Sequence, residues 1–481
     1  MKQQYRLYCT IVFCLCVVLH LQAQSPLESK FISKVSQKYL QKNVRELVKF
    51  GNRLGGTKSG DKAAQYVFEK FKGYGFKPEI IQDPRKLTYS NDGWQLKIDQ
   101  PKRLRGLIQH EWLAGFSPSA RRDTVHLSFV GSIRDIDTRT MDSGAVLLER
   151  QPSEKMYDEL VDAGACCIVS YQNDISTAYA NWAMISTLKE TDKNQIPVFN
   201  ISNNAGRRLQ EELEKGTRVV IKYSAKTIIR HGNSKTIIAT LKGQTDEYYI
   251  LGAHGDSDSG GPGADDNASG VSGVLEVARI LNTMVKNKTL PLPKKSIKFI
   301  VWGTEYHSSG SYVKLHSDRL EKIAGVINID EIGIGKPRHC IYFEGNDIPQ
   351  NYDLLKLFER VGEDYVNKKG FWKEATTNPS QGGTDSYVFL PEYLNRLDVS
   401  EKKIPSITVF TAAWNEPTSM QQTRGWRSKA WKGHPDSVNI DYSPYYHSSL
   451  DIPALTTDKK PANMVWGVNA VGIALIRLLW Q

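Results

Sequence analysis

Cysteine is scarce in this chain, with six in 481 residues. Cys9, Cys14 and Cys16 lie in the leader, which leaves Cys166, Cys167 and Cys340 for the body of the protein. So few thiols, odd in number, exclude a disulfide-stapled scaffold. Dense Lys/Arg runs interleaved with aromatics are missing as well. The formal charge of +11, still basic without Lys2 and Arg6, therefore suits anionic surfaces but gives no nucleic-acid site. No internal repeat or low-complexity tract is visible. The opening apolar run, residues 11–21 (IVFCLCVVLHL), is shorter than the roughly 20 residues of a membrane-crossing helix. With Lys2 and Arg6 ahead of it, Ala23 near its end and "SPLESK" behind it, the run is expected to be a secretory signal peptide over residues 1–23. Cys14 and Cys16 sit inside the run, not behind small residues, which argues against a lipid anchor. The expectation is a bacterial protein exported to periplasm, envelope or exterior, with no integral membrane segment once the signal is cleaved.

What is present is globular. Hydrophobic residues make up 40% and charged residues 24%, and the length exceeds one ordinary domain, so two are expected. "VRELVKFGNRLGGTKSGDKAAQYVFEKFKGYGF" reads as helix, loop, helix, with Ala64, Val67, Phe68 and Phe71 as an apolar stripe and Gly73 and Gly75 as its end. The middle changes grammar: "SGAVLLE", "CCIVSY" and "IPVFNIS" are short strands, set among the short helices "SEKMYDELVDAGA" and "AGRRLQEELEKG". That pattern predicts a compact insert over residues 106–225, between an N-terminal part of the main domain, residues 24–105, and its remainder, residues 226–481. The later half has longer periods. "SKTIIATLKG", "YYILGAH", "SIKFIVWGTE", "AGVINIDEIG" and "IPSITVF" are apolar strands separated by helices. They predict an α/β fold: a mostly parallel sheet with helices on both faces, beside a smaller inserted α+β unit. Ligands of such sheets bind beyond the carboxyl ends of the strands.

The residues placed at those ends carry chemistry. The segment "GAHGDSDSGGPGADDNASG", residues 252–270, gathers carboxylates that repel one another unless water or a cation surrounds them. Taken alone, "DDNASG" before a helix also suits an N-cap. Yet His254 follows "YYILGA", Glu305 follows "SIKFIVWGT" and Asp330 ends "AGVINID", so three strands deliver metal-capable side chains to one sheet edge. Near the C-terminus "YSPYYHSSLD" adds His447, with Asp451 four residues on. Carboxylates mixed with imidazoles suit zinc, and an incomplete coordination shell can activate water. Asp256, two residues after His254, is placed to fix the tautomer of that ring.

In this order the motifs resemble the M28 peptidases, zinc exopeptidases with an aminopeptidase-type fold. "AHGDS", "PGADDNASG", "NIDEIG", "GGTDSYVF" and "YHSSLD", with the leading "NRLGGTKSGDKAAQYVFEKFKGYGF", spread the resemblance over nearly the whole mature chain. It implies His254, Asp266, Asp330 and His447 as metal ligands, Asp266 bridging two ions and Asp256 orienting His254. Asp266 is preferred to Asp265 because the family's bridging residue directly precedes the Asn-x-Ser-Gly turn. The middle stretch resembles a protease-associated (PA) domain, and the order helices, insert, metal domain is similar to carboxypeptidase Q.

One departure matters. The family carries two adjacent glutamates after the strand that ends near Trp302, a general base and then a ligand, whereas this chain reads "FIVWGTEYHSSGSYVK" with Glu305 alone. Counting along the strand makes Glu305 the base, with Tyr306 at the ligand position and His307 able to reach the metal. Counting back from "GS" makes Glu305 the ligand and Thr304 the residue at the base position. The implied function is an exported exopeptidase, foremost an aminopeptidase, that uses one or two zinc ions and a metal-activated water on peptide substrates. A catalytically impaired peptide-binding protein and a glutaminyl cyclase-like enzyme are the alternatives.

Overall fold

The computed structural model describes residues 25–131, 144–172, 179–257, 260–335, 340–345, 348–378, 384–399, 403–411 and 445–481. The expected signal peptide lies outside them. Two sheets organise the chain. The larger has eight strands in the spatial order Glu79–Gln82, Lys235–Leu241, Ser296–Trp302, Tyr248–His254, Ile323–Ile329, Ser406–Phe410, Cys340–Glu344 and Glu374–Asn378. Its centre is parallel: the Tyr248–His254 strand lies between Ser296–Trp302 and Ile323–Ile329, and Ile323–Ile329 is followed by Ser406–Phe410. Antiparallel pairs enter on either side, at Lys235–Leu241 and at Cys340–Glu344.

The strands are apolar on both faces because both are covered. Ile237, Ala239, Leu251, Ala253, Phe299 and Val301 pack with one set of helices. Ile238, Ile250, Ile300 and Trp302, one residue out of phase, pack with Tyr312, Val313, Phe389 and Leu394 on the other face. The Lys58–Gly73 helix starts at Thr57, whose hydroxyl accepts from the Gly60 N–H, and buries Ala63, Val67 and Phe71. It gives way to Gly75 at φ 86°, a backbone that favours glycine. The helix Ala462–Leu479 is long and apolar enough to cross a membrane, with mean hydropathy 1.5, but is 78% buried inside the protein. It packs on the helices Pro26–Ile32 and Gly270–Lys286 as a core element.

The smaller sheet runs Lys86–Gln100, Val219–Gly232, Ala120–Phe129, Ala145–Leu148, Cys167–Ser170, Val198–Asn200 and Trp112–Leu113. Its outer pair extends beyond residues 106–225 on both sides. "SNDG", which has the composition of a turn, is instead a bulge inside the Lys86–Gln100 strand, where the register shifts between Asn91 and Gly93 and Gly93 adopts φ 142°. The chain leaves the larger sheet and returns to it at one place, since the Asp83 N–H donates to Ser234 O at 2.9 Å. No disulfide joins Cys166, Cys167 and Cys340 to one another.

Candidate metal centre

The parallel register brings His254 level with Trp302, so His254, the turn after Trp302 and Asp330 leave the sheet at the same edge. His254 Nε2 lies 3.2 Å from Asp266 Oδ1 and 3.6 Å from Asp330 Oδ1. On its other side Asp266 presents Oδ2 to His447 Nε2 at 3.3 Å. Asp266 thus faces one histidine with each oxygen. Asp265 turns elsewhere, accepting the Gly333 N–H at 2.7 Å. One ligand atom from each of His254, Asp266 and Asp330 falls within 4.8 Å of the others.

Charge balance is what this edge lacks. Asp266 Oδ1, Asp330 Oδ1, Asp265 Oδ2 and Glu331 Oε1 are buried without a hydrogen-bond donor, an arrangement that is costly unless a cation compensates it. Burial, then the neighbouring acids, pushes the Asp265 and Glu331 carboxyls well up. Burial would raise Asp266 too, but His254 and His447 hold it low. Buried carboxylate oxygens without donors, beside two imidazoles, are a donor set that fits zinc. His254, Asp266 and Asp330 form one three-residue cluster, and Asp266 with His447 opens a second.

A scaffold holds these groups in place. Asp256 Oδ1 stands 3.2 Å from His254 Nδ1 and also accepts the Glu305 backbone N–H at 3.1 Å, which leaves Nε2 facing the carboxylates. Asp451 spans the metal loop with both oxygens, accepting the N–H groups of Asp265 at 2.8 Å and Asp266 at 2.9 Å. The fully buried Arg53 closes the same loop from behind, donating to the carbonyls of Gly255, Pro262 and Gly263 at 3.1, 2.8 and 2.7 Å. Burial draws its pKa down to about 10 against the pull of Asp451, Asp256 and Asp266. Sequence reasoning did not assign Arg53 a role, although "NRLGG" contains it. Its partners are some 200 residues away and share no periodic pattern with it.

Backbone strain collects here as well. Arg53, Tyr306, Glu331 and His447 have φ of 42°, 54°, 42° and 44°, a region that costs non-glycine residues about 1–2 kcal/mol each. Strain of this kind persists where the surroundings over-determine the backbone.

The single-glutamate turn is now resolved in space. The Glu305 backbone is tied to Asp256, and the residue is half-buried. Burial raises its pKa, His254 opposes, and Asp385, Asp330 and Asp266 add to the rise. Tyr306, which stands where the strand count puts a ligand, stacks on Tyr393 with ring centres 6.5 Å apart. Its N–H goes to Asp385 Oδ1, which also accepts from Ser309 Oγ at 2.6 Å. The expectation that His307 reaches the metal is corrected: its Nε2 donates to Pro84 O at 3.0 Å, because the helix His307–Leu315 begins there and directs the ring to the chain segment that crosses between the sheets.

The mostly parallel sheet, with histidines and carboxylates converging beyond its strand ends, is a mixed α/β fold shared with M28 aminopeptidase structures. The sequence model of Peptidase family M28 matches residues 236–470, so this part of the chain carries the sequence pattern of that family. Among curated relatives, the probable lipoprotein aminopeptidase LpqL of Mycobacterium tuberculosis is 25% identical over 354 residues, 71% of this chain and 62% of that protein. The probable leucine aminopeptidase 2 of Arthroderma benhamiae is 29% identical over 226 residues, 43% of this chain and 44% of that protein. The match therefore spans less than two thirds of either relative. Two solved structures share the fold over nearly their full lengths. A Peptidase M28 precursor from Shewanella amazonensis aligns with TM-score 0.65 and 19% identity over 96% of this chain and 97% of its own. A zinc aminopeptidase from Bacillus subtilis aligns with TM-score 0.61 and 19% identity over 92% and 95%.

Proposed function

We propose that the protein is an exported zinc-dependent aminopeptidase. The observation that carries this reading is Asp266 facing His254 with one oxygen and His447 with the other, beside Asp330. His254, Asp266 and Asp330 would hold one ion, Asp266 and His447 part of a second, with Glu305 as catalytic base or ligand. Bound zinc supplies Lewis acidity, which polarises a scissile carbonyl and acidifies water. Glu305, raised by its burial, is suited to take a proton from the attacking water and return it to the leaving amine. Asp256 keeps His254 in the tautomer that points its Nε2 lone pair at the ions. A carboxylate-rich edge favours the cationic N-terminus of a peptide over its C-terminal carboxylate. The names of its relatives, a lipoprotein and leucine aminopeptidases, support export and this polarity of cleavage. The smaller sheet would be the PA-like insert.

A second reading, a peptide-binding protein with impaired catalysis, is favoured by one observation: Tyr306 stacks away on Tyr393 where a second glutamate would stand. Metal content per chain, measured with hydrolysis of a panel of aminoacyl amides, separates the two. Zinc-dependent release of N-terminal residues is the expected result. A fully zinc-loaded protein that hydrolyses none of the panel overturns the enzyme reading, and cyclisation of N-terminal glutamine without residue release redirects it to the cyclase alternative.

A further inference from the structure

The smaller sheet reaches into the metal centre through one short strap, residues 182–186. The Ile185 N–H donates to the carbonyl of His447 at 2.6 Å, Met184 and Ser448 form an antiparallel bridge, and the rings of Trp182 and Tyr445 lie 5.3 Å apart. The strap therefore grips His447 itself, Ser448 beside it and Tyr445 two residues before it. Its own position is fixed from the insert side. Gly115 N–H donates to Ser186 O at 2.8 Å and Ala183 N–H to His110 O at 3.3 Å. A buried relay then runs from Ser170 Oγ to Asn200 Oδ1 and from Asn200 Nδ2 to Ser186 Oγ, each at 2.6 Å.

His447 needs such a grip. It is held at φ 44°, it lies on a loop and not at a strand end, and its ring is 21% exposed where that of His254 is 2% exposed. A loop histidine with a strained backbone has many alternative orientations, and each dilutes the one in which Nε2 meets Asp266. We infer that residues 182–185 are a positioning element for His447, so that the insert completes the second half of the metal centre while the His254, Asp266 and Asp330 half stands without it. The inference rests on the proposed zinc site, and extends it by making the affinity of one half a property of the other sheet.

The test is zinc titration of the metal-free full-length protein against a chelating dye, with wild type, Trp182→Ala, Trp182→Phe and Ile185→Pro compared at matched circular dichroism. Wild type is expected to bind two equivalents. Trp182→Ala and Ile185→Pro should keep the first affinity and weaken the second by about 10- to 100-fold, the scale seen when a partner of a metal ligand is removed, with Trp182→Phe restoring most of it. In a His447→Ala background the strap substitutions should change zinc affinity no further. Unchanged second-site affinity in Trp182→Ala, a further loss in the His447→Ala background, or a wild type that takes one equivalent only overturns the inference and leaves the one-ion enzyme reading in place. A wild type that takes no zinc overturns the proposed function itself. Ile185→Pro removes the donated N–H and also constrains φ, so Trp182→Ala, which leaves the backbone intact, decides if the proline variant does not fold.

Discussion

Asp266 is the residue on which the centre turns, because it faces both histidines, one with each oxygen. Asp266→Ala and His447→Ala are expected to abolish metal-dependent turnover and to lower the zinc bound per chain, measured by elemental analysis after gel filtration. Full activity with full metal in Asp266→Ala would refute the bridging role. Asp256→Asn should cost about 10- to 100-fold in metal affinity or activity. Glu305→Gln distinguishes base from ligand: near-normal zinc with turnover reduced by about 10²- to 10⁴-fold marks a general base, whereas loss of zinc marks a ligand. The second outcome would move attention to Glu331, whose buried Oε1 has no donor.

Among the elements, the loop between His254 and the Gly270–Lys286 helix shows what a sequence can and cannot disclose. Its acid content, its glycines and its position after an apolar strand are local, so its chemistry was legible. So were the central strands, whose apolar runs ended within a residue or two of the sheet edge. The clasp on the loop was not legible, because Arg53 and Asp451 meet it from opposite ends of the chain and only folding brings them together. The Lys86–Gln100 strand is not legible in the sequence because its "SNDG" has a turn's composition yet forms a bulge, and the direction of His307 is not legible because spacing gives reach but not direction. The clasp makes its own prediction. Arg53→Met removes the guanidinium donors of the Gly255 and Pro262 carbonyls and one of two donors at Gly263, which keeps the Ala268 N–H at 3.2 Å; at about 1–3 kcal/mol for each group left unpaired, its denaturant midpoint should fall by an amount equivalent to a few kcal/mol with zinc absent. Gly263→Ala should act on the same loop, since its residue sits at φ 59° and a Cβ there would meet Arg53 Nη2 at 2.7 Å and press on Ser257 and the Asp266 carbonyl. A midpoint within experimental error of wild type for Arg53→Met would remove the clasp from the account.

Across the whole molecule, a cation bound at the unbalanced acids of the sheet edge would couple folding to metal. Zinc that binds the native state alone adds RT ln(1 + [L]/Kd), about 2.7 kcal/mol at 100 times Kd. A chelator should therefore lower the thermal midpoint, zinc should restore it, and magnesium should not, because its preference for octahedral oxygen ligands does not match a centre with two imidazoles. Calorimetric scans with and without chelator test this, and superimposable scans would count against a metal centre. The thiols make a separate demand: Cys167 opens a strand of the smaller sheet, with Cys166 just before it, and Cys340 opens a strand of the larger, so mass spectrometry should find no obligatory bridge among them.

The way the smaller sheet is spliced into the larger sets an order of assembly. Glu79–Gln82 pairs with Lys235–Leu241, and every described strand between those two belongs to the smaller sheet. A chain emerging end first must therefore hold one edge strand of its main sheet unpaired until the entire insert has passed. Closing a long free coil costs chain entropy that grows slowly with its length, so early collapse of the smaller sheet would spare part of that cost by bringing Asp83 back to Ser234 and handing the waiting strand its partner. Folding rate would then depend on residues that never touch the main sheet, and a slow insert would leave an open β edge exposed to neighbouring chains.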